Sequence, residues 1–477
     1  MLSAMTKPIH VQPPLQFIPP AYSPWVRSLT RLLLPWLRWR YGIANVQVEQ
    51  IDRLAELYAD FAQQKVRFLL AFRHSNPNDP LCMATLVWNQ LPRAAKQRGL
   101  QLPKPPHAHF MYDRGIPLWA GKLVGWTYSR LGGTPIRRGK ADLVGLRSAR
   151  QLFAHGRFPM AAAPEGATNG HSGIVSPIEP GIAQFGFWCV EDMQKSDRAE
   201  TVLIVPLGIQ YFFETAPWTA IEQLLHELEA ASGLPSDPTI VHNHSTLSPD
   251  QEAALYQRLL RLGEHLLTQM EQFYSKFYHQ SLPTAAETAA LSQELTVAIP
   301  ATANEQLMDR LHALMNAALS VAEAAFNLPP KGSFTDRCRR LEQAGWDRIY
   351  REDLTDLDAL SAIERGLADR VAEEAELRLW HMRLVETFVS VTGHYVREKF
   401  TVERFAETTL LLWDMTRRLQ GQFPFPRPQL GHQQAYITIG DPISVSDRWP
   451  AYKTNRRQAV ADLTQDLQTA LEALIRT

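Results

Sequence analysis

The sequence predicts an α/β fold, a sheet flanked by helices, with a long helical stretch before its last part. Three observations carry this reading. Apolar strand-length runs alternate with amphipathic helix-length runs between residues 46 and 207. After about residue 213 the alternation stops and long helical patterns take over. It returns only near the C-terminus, as one apolar strand and a closing helix.

The bulk properties agree. The chain has 477 residues, room for two or three domains. It is 45% hydrophobic and 21% charged, which allows a large core. Lys+Arg and Asp+Glu are balanced at 49 each, which argues against a protein built around nucleic acid. Cys82, Cys189 and Cys338 are far apart, without zinc or redox spacing, and read as free thiols in a reducing compartment. No stretch reaches the roughly 18 uncharged apolar residues of a membrane-spanning helix.

Residues 1–22 are proline-rich and lack the apolar core of a signal peptide, so a flexible arm is expected. Residues 23–41 should form a helix, with Ser23 as N-cap and Pro24 at its first position. Trp25, Leu29, Leu32, Leu33, Trp36 and Leu37 recur on one face, with Arg27, Arg31 and Arg38 toward the other. Two readings fit: a helix lying in the headgroup plane of a membrane, or a core-packed helix with a solvated basic face. Pro35 should kink it. Strands are then expected at 46–49, 66–72, 108–112, 134–138, 158–163 and 202–207. Helices are expected at 51–64, 80–98, 116–131 and 141–155. Residues 250–279, 303–326 and 354–420 read as helices, joined by Pro/Ser/Thr loops at 234–249 and 281–302. A strand at 435–439 and a helix at 454–475 close the chain. No internal repeat is found.

The apolar strand 66–72 runs directly into Arg73-His74-Ser75-Asn76-Pro77-Asn78-Asp79-Pro80. In open α/β sheets, loops at the carboxyl ends of strands hold ligands. A His with an Asp five residues on can form a dyad: the imidazole takes a proton and the carboxylate orients it. The plainer reading is that Asp79-Pro80 starts a helix and His74 is a hydrogen-bonded loop residue. His242 and His244 could suggest a metal, but no carboxylate or Cys has matching spacing, and a loop is expected. Gly170-His171-Ser172-Gly173-Ile174 is not a nucleophile elbow, because its fifth residue is not Gly. No P-loop or dinucleotide glycine fingerprint occurs.

Further segments repeat a pattern in order. Gly132-Gly133-Thr134-Pro135-Ile136-Arg137-Arg138 is followed by Ala163-Pro164-Glu165-Gly166-Ala167-Thr168, then Ile204-Val205-Pro206-Leu207-Gly208, then Gly440-Asp441-Pro442-Ile443. With His74 and Asp79, the sequence resembles the glycerolipid acyltransferase superfamily of lysophosphatidate and glycerol-3-phosphate acyltransferases. The family motifs are His-four residues-Asp, usually preceded by Asn; Gly-two residues-Phe-Ile-one residue-Arg; Phe-Pro-Glu-Gly-Thr-Arg; an apolar strand ending in Val-Pro; and a terminal Gly-Glu-Pro-Ile segment. Arg73, Pro135 and Thr168 depart from them. The resemblance covers about 45–212 and 434–476.

The resemblance implies a mixed sheet flanked by helices, the glycerolipid acyltransferase fold, in two parts at 42–212 and 434–477. Residues 213–433 become a large, mostly helical insertion. The implied reaction moves a fatty acyl group from a thioester to a lysophospholipid hydroxyl, first of all 1-acylglycerol 3-phosphate, in phospholipid synthesis. Glycerol 3-phosphate or another lipid alcohol is the alternative acceptor. An inactive lipid-binding scaffold is the non-enzyme alternative. Carried over, His74 is the general base, Asp79 orients it, and Arg138 binds the acceptor phosphate in a guanidinium fork. Glu165 and Gly166 position the acceptor, and Pro206 shapes the site's edge. Thr168 stands where the family has Arg, with Arg73, Arg137 or Lys140 as substitutes by proximity. No metal or cofactor is required; an acyl-carrier-protein or coenzyme A thioester is co-substrate. Residues 116–128 are a candidate acyl-chain wall, a second membrane contact or plain core. A cytoplasmic protein, peripheral on the inner face of a membrane, is expected.

Overall fold

The computed structural model describes residues 9–137, 142–235, 246–282, 303–354, 356–389, 391 and 394–476. The chain divides into two units. One comprises Gln16–Glu214 and Gly431–Thr477, the other Met1–Leu15 and Thr215–Leu430.

The first unit opens with α1 (Pro24–Arg40), where the Ser23 hydroxyl accepts from the Val26 N–H. The helix runs unbroken through Pro35. Next come β1 (Ile43–Glu49), α2 (Ile51–Ala62) and β2 (Val66–Phe72). The single helix expected at 80–98 is instead α3 (Asp79–Thr85), a π turn (Leu86–Gln90) and α4 (Leu91–Gln97). Pro92 explains the break: it has no N–H, and its ring crowds the carbonyl four residues back, so the ladder widens just before it. Then follow β3 (His109–Asp113), α5 (Ile116–Ala120), α6 (Lys122–Arg130), β4 (Gly133–Ile136), α7 (Leu143–His155), β5 (Met160–Ala162), α8 (Gly181–Lys195) and β6 (Thr201–Phe213). Helix α8 has no counterpart in the sequence reading. Strand β6 runs six residues beyond its expected end.

The second unit is helical: α9 (Trp218–Ala231), α10 (Pro249–Tyr278), α11 (Ala303–Phe326), α12 (Phe334–Ile349), α13 (Ala362–Phe388), α14 (Tyr395–Glu398) and α15 (Val402–Leu419). Ser248, Ser333 and Ser361 start α10, α12 and α13 with reciprocal capping boxes. The helix expected at 354–420 is broken. Val389-Ser390-Val391-Thr392-Gly393 is poor in helix formers, and Thr401 caps a new start at α15. The expected flexible arm is ordered where it is described: residues 9–15 pack in this unit, with Val11 fully buried in its core and Gln12 bridging to Tyr350, while residues 16–22 belong to the first unit. Of the expected loops, 236–245 and 283–302 lie outside the described residues.

The chain returns to the first unit with β7 (Gln433–Ile439), β8 (Ile443–Ser444), α16 (Trp449–Thr454) and α17 (Arg456–Glu472). The sheet is mixed, in the order β1-β7-β6-β2-β5-β3-β4, with β8 beside β6. Only β7 and β8 pair antiparallel to β6; every other pairing is parallel. Helices cover both faces. Phe68 and Leu70 of β2 pack among α1, α2, α3 and α4, while Leu69 and Ala71 pack among α7, α8 and α17. A strand covered on both sides reads as the continuous apolar run seen at 66–72. Among the described residues, no helix is long and apolar enough to cross a membrane.

Candidate functional site

Strands β2 and β5 are parallel neighbours, with Ala71 opposite Ala162. Parallel pairing puts their carboxyl-end loops side by side. His74 and Glu165 each lie three residues beyond that register pair, so the pairing alone brings the two loops together.

His74 sits in the loop before α3, its side chain 25% exposed. Its Nδ1 lies 2.9 Å from Asp79 Oδ2. The carboxylate only accepts, so Nδ1 carries the hydrogen and Nε2 is left as the acceptor. Thr168 Oγ1, on the loop after β5, lies 3.1 Å from that Nε2. Asp79 is fully buried at the start of α3. Its Oδ2 also accepts the Asn76 N–H at 3.0 Å. Asp79 is thus the first residue of the helix and not its N-cap, which is Asn78 without a side-chain cap bond, and its carboxylate is turned back to the loop and His74.

The other oxygen of Asp79 accepts from Tyr211 at 2.5 Å. Tyr211 is absent from the sequence reading. Strand β6 outruns β2 because its other edge stays paired to β7 through Phe213. Its far end therefore delivers Tyr211 to the loop after β2. Burial, first, and then the nearby Asp79 and Cys82 push the phenol well above its ordinary pKa, so it stays protonated and donates. Cys82, on α3, meets the phenol oxygen at 3.4 Å. Its thiol is pushed up to about 12, chiefly by burial. A periodicity that continues past Val205-Pro206 to Tyr211 was the one signal for this residue.

Glu165 and Arg73 differ from expectation. Glu165 has no exposed side-chain surface. Its carboxylate accepts the His74 N–H at 2.8 Å, Asn169 Nδ2 at 2.8 Å and the Ser176 N–H at 3.0 Å. Arg73 is equally buried. Its guanidinium donates to the carbonyls of His171, Ser172 and Ile174 and lies 4.0 Å from Glu165. These two side chains tie the loops to one another instead of facing an acceptor. A buried guanidinium and carboxylate each need several partners, and here the loop backbone supplies them. Gly166 follows at φ +70°, a left-handed turn that favours glycine, and its N–H reaches the Ala163 carbonyl.

Arg137 lies at the end of β4, three strands from β2 in sheet order. At the usual strand spacing that is about 14 Å across the sheet. Arg137 is buried, and its N–H donates to Asp142, which also pairs with Arg114 and caps α7. Arg138 and Lys140 lie outside the described residues, as do His242 and His244. The dyad, Arg73, Glu165, Gly166 and Thr168 thus come together, while Arg137 is set apart.

Helix α1 turns outward the face that was expected to be apolar. Trp25 is 86% and Leu32 78% exposed, and Leu29, Leu33 and Trp36 are exposed beside them. Arg27 is buried instead, donating to the Pro106 carbonyl and lying over the Trp88 ring. The core-packed alternative with a solvated basic face is therefore contradicted. Helix α6, packed beside α1, adds exposed Leu123 and Trp126.

Comparison of the chain with protein-family models, curated proteins and solved structures gives no match.

Proposed function

We propose that this protein is an O-acyltransferase that moves a fatty acyl group from an acyl thioester to a lipid hydroxyl. The observation that carries the reading is the His74–Asp79 pair at the carboxyl edge of the sheet, with Nδ1 held by the buried carboxylate and the imidazole partly exposed. The motif resemblance supplies the reaction class. In the proposed step, Nε2 takes the proton of the acceptor hydroxyl as its oxygen attacks the thioester carbonyl. The tetrahedral intermediate collapses, the carbon–sulfur bond breaks, and the imidazolium returns the proton to the leaving thiolate. Asp79 holds the tautomer this requires and stabilises the imidazolium. The contact of Thr168 Oγ1 with Nε2, 3.1 Å, supports a hydroxyl as the group this nitrogen meets.

The first-choice acceptor is 1-acylglycerol 3-phosphate, with coenzyme A or acyl-carrier-protein thioesters as donor. A second acceptor reading is favoured by a specific observation: the Arg73 guanidinium is spent on carbonyls, and Thr168 fills the position of the missing cation. Both support an unphosphorylated lipid alcohol. The outward apolar face of α1, with Arg31 and Arg40 exposed beside it, supports docking on an anionic lipid surface, and hence a peripheral membrane protein.

The deciding assay uses the purified protein, both thioester types and a panel of phosphorylated and unphosphorylated acceptors. His74→Ala should lower acyl transfer about 100- to 10,000-fold while the protein stays folded. A folded alanine variant with full activity would sink the reading, and liposome binding without transfer from any donor would favour the lipid-binding scaffold.

A further inference from the structure

We propose that Tyr211 is a positioning residue: its hydroxyl fixes the Asp79 carboxylate beneath His74 and sets how readily that imidazole takes a proton. Only the kinetic part of this inference rests on the acyl-transfer reading. The geometric part stands on a chain of contacts. Tyr211 donates to Asp79 Oδ1 at 2.5 Å, and Asp79 Oδ2 meets His74 Nδ1 at 2.9 Å. Tyr211 is 1% exposed and Asp79 fully buried, so the bond between them is shielded from bulk solvent. The two residues come from different elements, β6 and the start of α3. The pairing therefore exists only when the sheet is assembled.

The groups that face this pair come from several elements. Cys82 of α3 lies behind the phenol, with the charge of Arg38 from α1 felt at its thiol. Arg73 and Glu165 lie on the backbone side of His74, with Glu165 holding its N–H. Thr168 meets the far nitrogen. Among these, Tyr211 is the donor to Oδ1. Hydrogen bonds to an ionised acceptor are about twice as strong as neutral ones. Donation from the phenol spreads the carboxylate's charge and weakens its pull on the imidazole proton. Removing the hydroxyl should concentrate that charge and make His74 harder to deprotonate.

The test measures carbethoxylation of the His74 peptide by mass spectrometry as a function of pH, since only the neutral imidazole reacts. In the full-length Tyr211→Phe protein the profile should move to higher pH, by about half a unit or more. Replacing Tyr211 with 3-fluorotyrosine, a more acidic phenol and stronger donor, should move it the other way. In acyl transfer, Tyr211→Phe should lower kcat roughly tenfold and leave KM within about twofold. Profiles that stay with the wild type in both variants overturn the proposal, even if activity falls. Should the Phe variant fail to fold, the fluorotyrosine protein decides alone. Shifted profiles in a protein that transfers no acyl group would uphold Tyr211 and reject the acyltransferase reading.

Discussion

The Glu165 carboxylate sits where no water reaches, met by two backbone N–H groups, one amide and the edge of a guanidinium. Removing one partner of such a buried set leaves the others unpaired, which is why single changes there are costly. His107 has the same character with a readable pH signature. Trp88 Nε1 donates to its Nδ1, and its Nε2 lies 2.7 Å from the Leu131 carbonyl, so the neutral ring has both nitrogens satisfied. Burial lowers it from 6.5 to about 3. In the unfolded chain the imidazole takes a proton below about pH 6.5, whereas in the folded protein it does not until about pH 3. The unfolded state binds more protons across that window, so this residue's contribution is present above pH 6.5 and lost as the pH falls toward 3. The slope is about 1.4 kcal/mol per pH unit. His107→Gln, which can keep both hydrogen bonds, should flatten the loss measured by urea unfolding between pH 7 and pH 5. Parallel pH dependences of the two proteins would reject this account.

At the scale of an element, α1 spends its apolar residues outward, against the usual arrangement of a helix on a sheet. Burying one large side chain is worth about 1.5–3 kcal/mol, so a row from Trp25 to Trp36 is a strong drive toward an apolar partner. Because these side chains are exposed, changing them should alter stability by no more than about 0.5 kcal/mol. A variant with Trp25, Leu33 and Trp36 all replaced by Ser should therefore fold normally and yet be lost from anionic vesicles in sedimentation. Unchanged co-sedimentation would remove the membrane surface as the partner of this face.

For the whole molecule, the decisive feature is where the helical unit enters the chain. Strands β6 and β7 are antiparallel neighbours, with Phe213 opposite Gln433 and the Glu214 N–H 3.0 Å from the His432 carbonyl. The insertion therefore occupies the position of a hairpin turn, so two residues could close the gap. The large cores also separate: two apolar clusters lie wholly in the α/β unit, the third in the helical unit with Val11. Replacing residues 215–431 with an Asn-Gly turn should leave a chain that unfolds cooperatively, as followed by circular dichroism. An aggregated or non-cooperative product would show that the sheet depends on the inserted helices.

Much of this was legible in the sequence, and the limits have physical causes. Strand β2 is read to the residue because five consecutive apolar residues, Phe68 to Phe72, follow Val66-Arg67 and end at the polar Arg73-His74, a run too short for a helix. The bounds of the helical unit, expected at 213 and 433, compare with 215 and 430, since hydrophobic periodicity changes there. His74 and Asp79 are five residues apart, and a helix start is enough to bring them together. Everything that depends on neighbours distant in sequence needed the tertiary structure. Helix α1's outward face, the inward turn of Arg73 and Glu165, and the reach of β6 to Tyr211 are set by which strands lie side by side. Side-chain type alone cannot say whether an Arg meets a ligand or a row of carbonyls. The His74–Asp79 dyad was thus written in seven residues, whereas the hydroxyl that holds it comes from 132 positions away, and only the sheet could choose it.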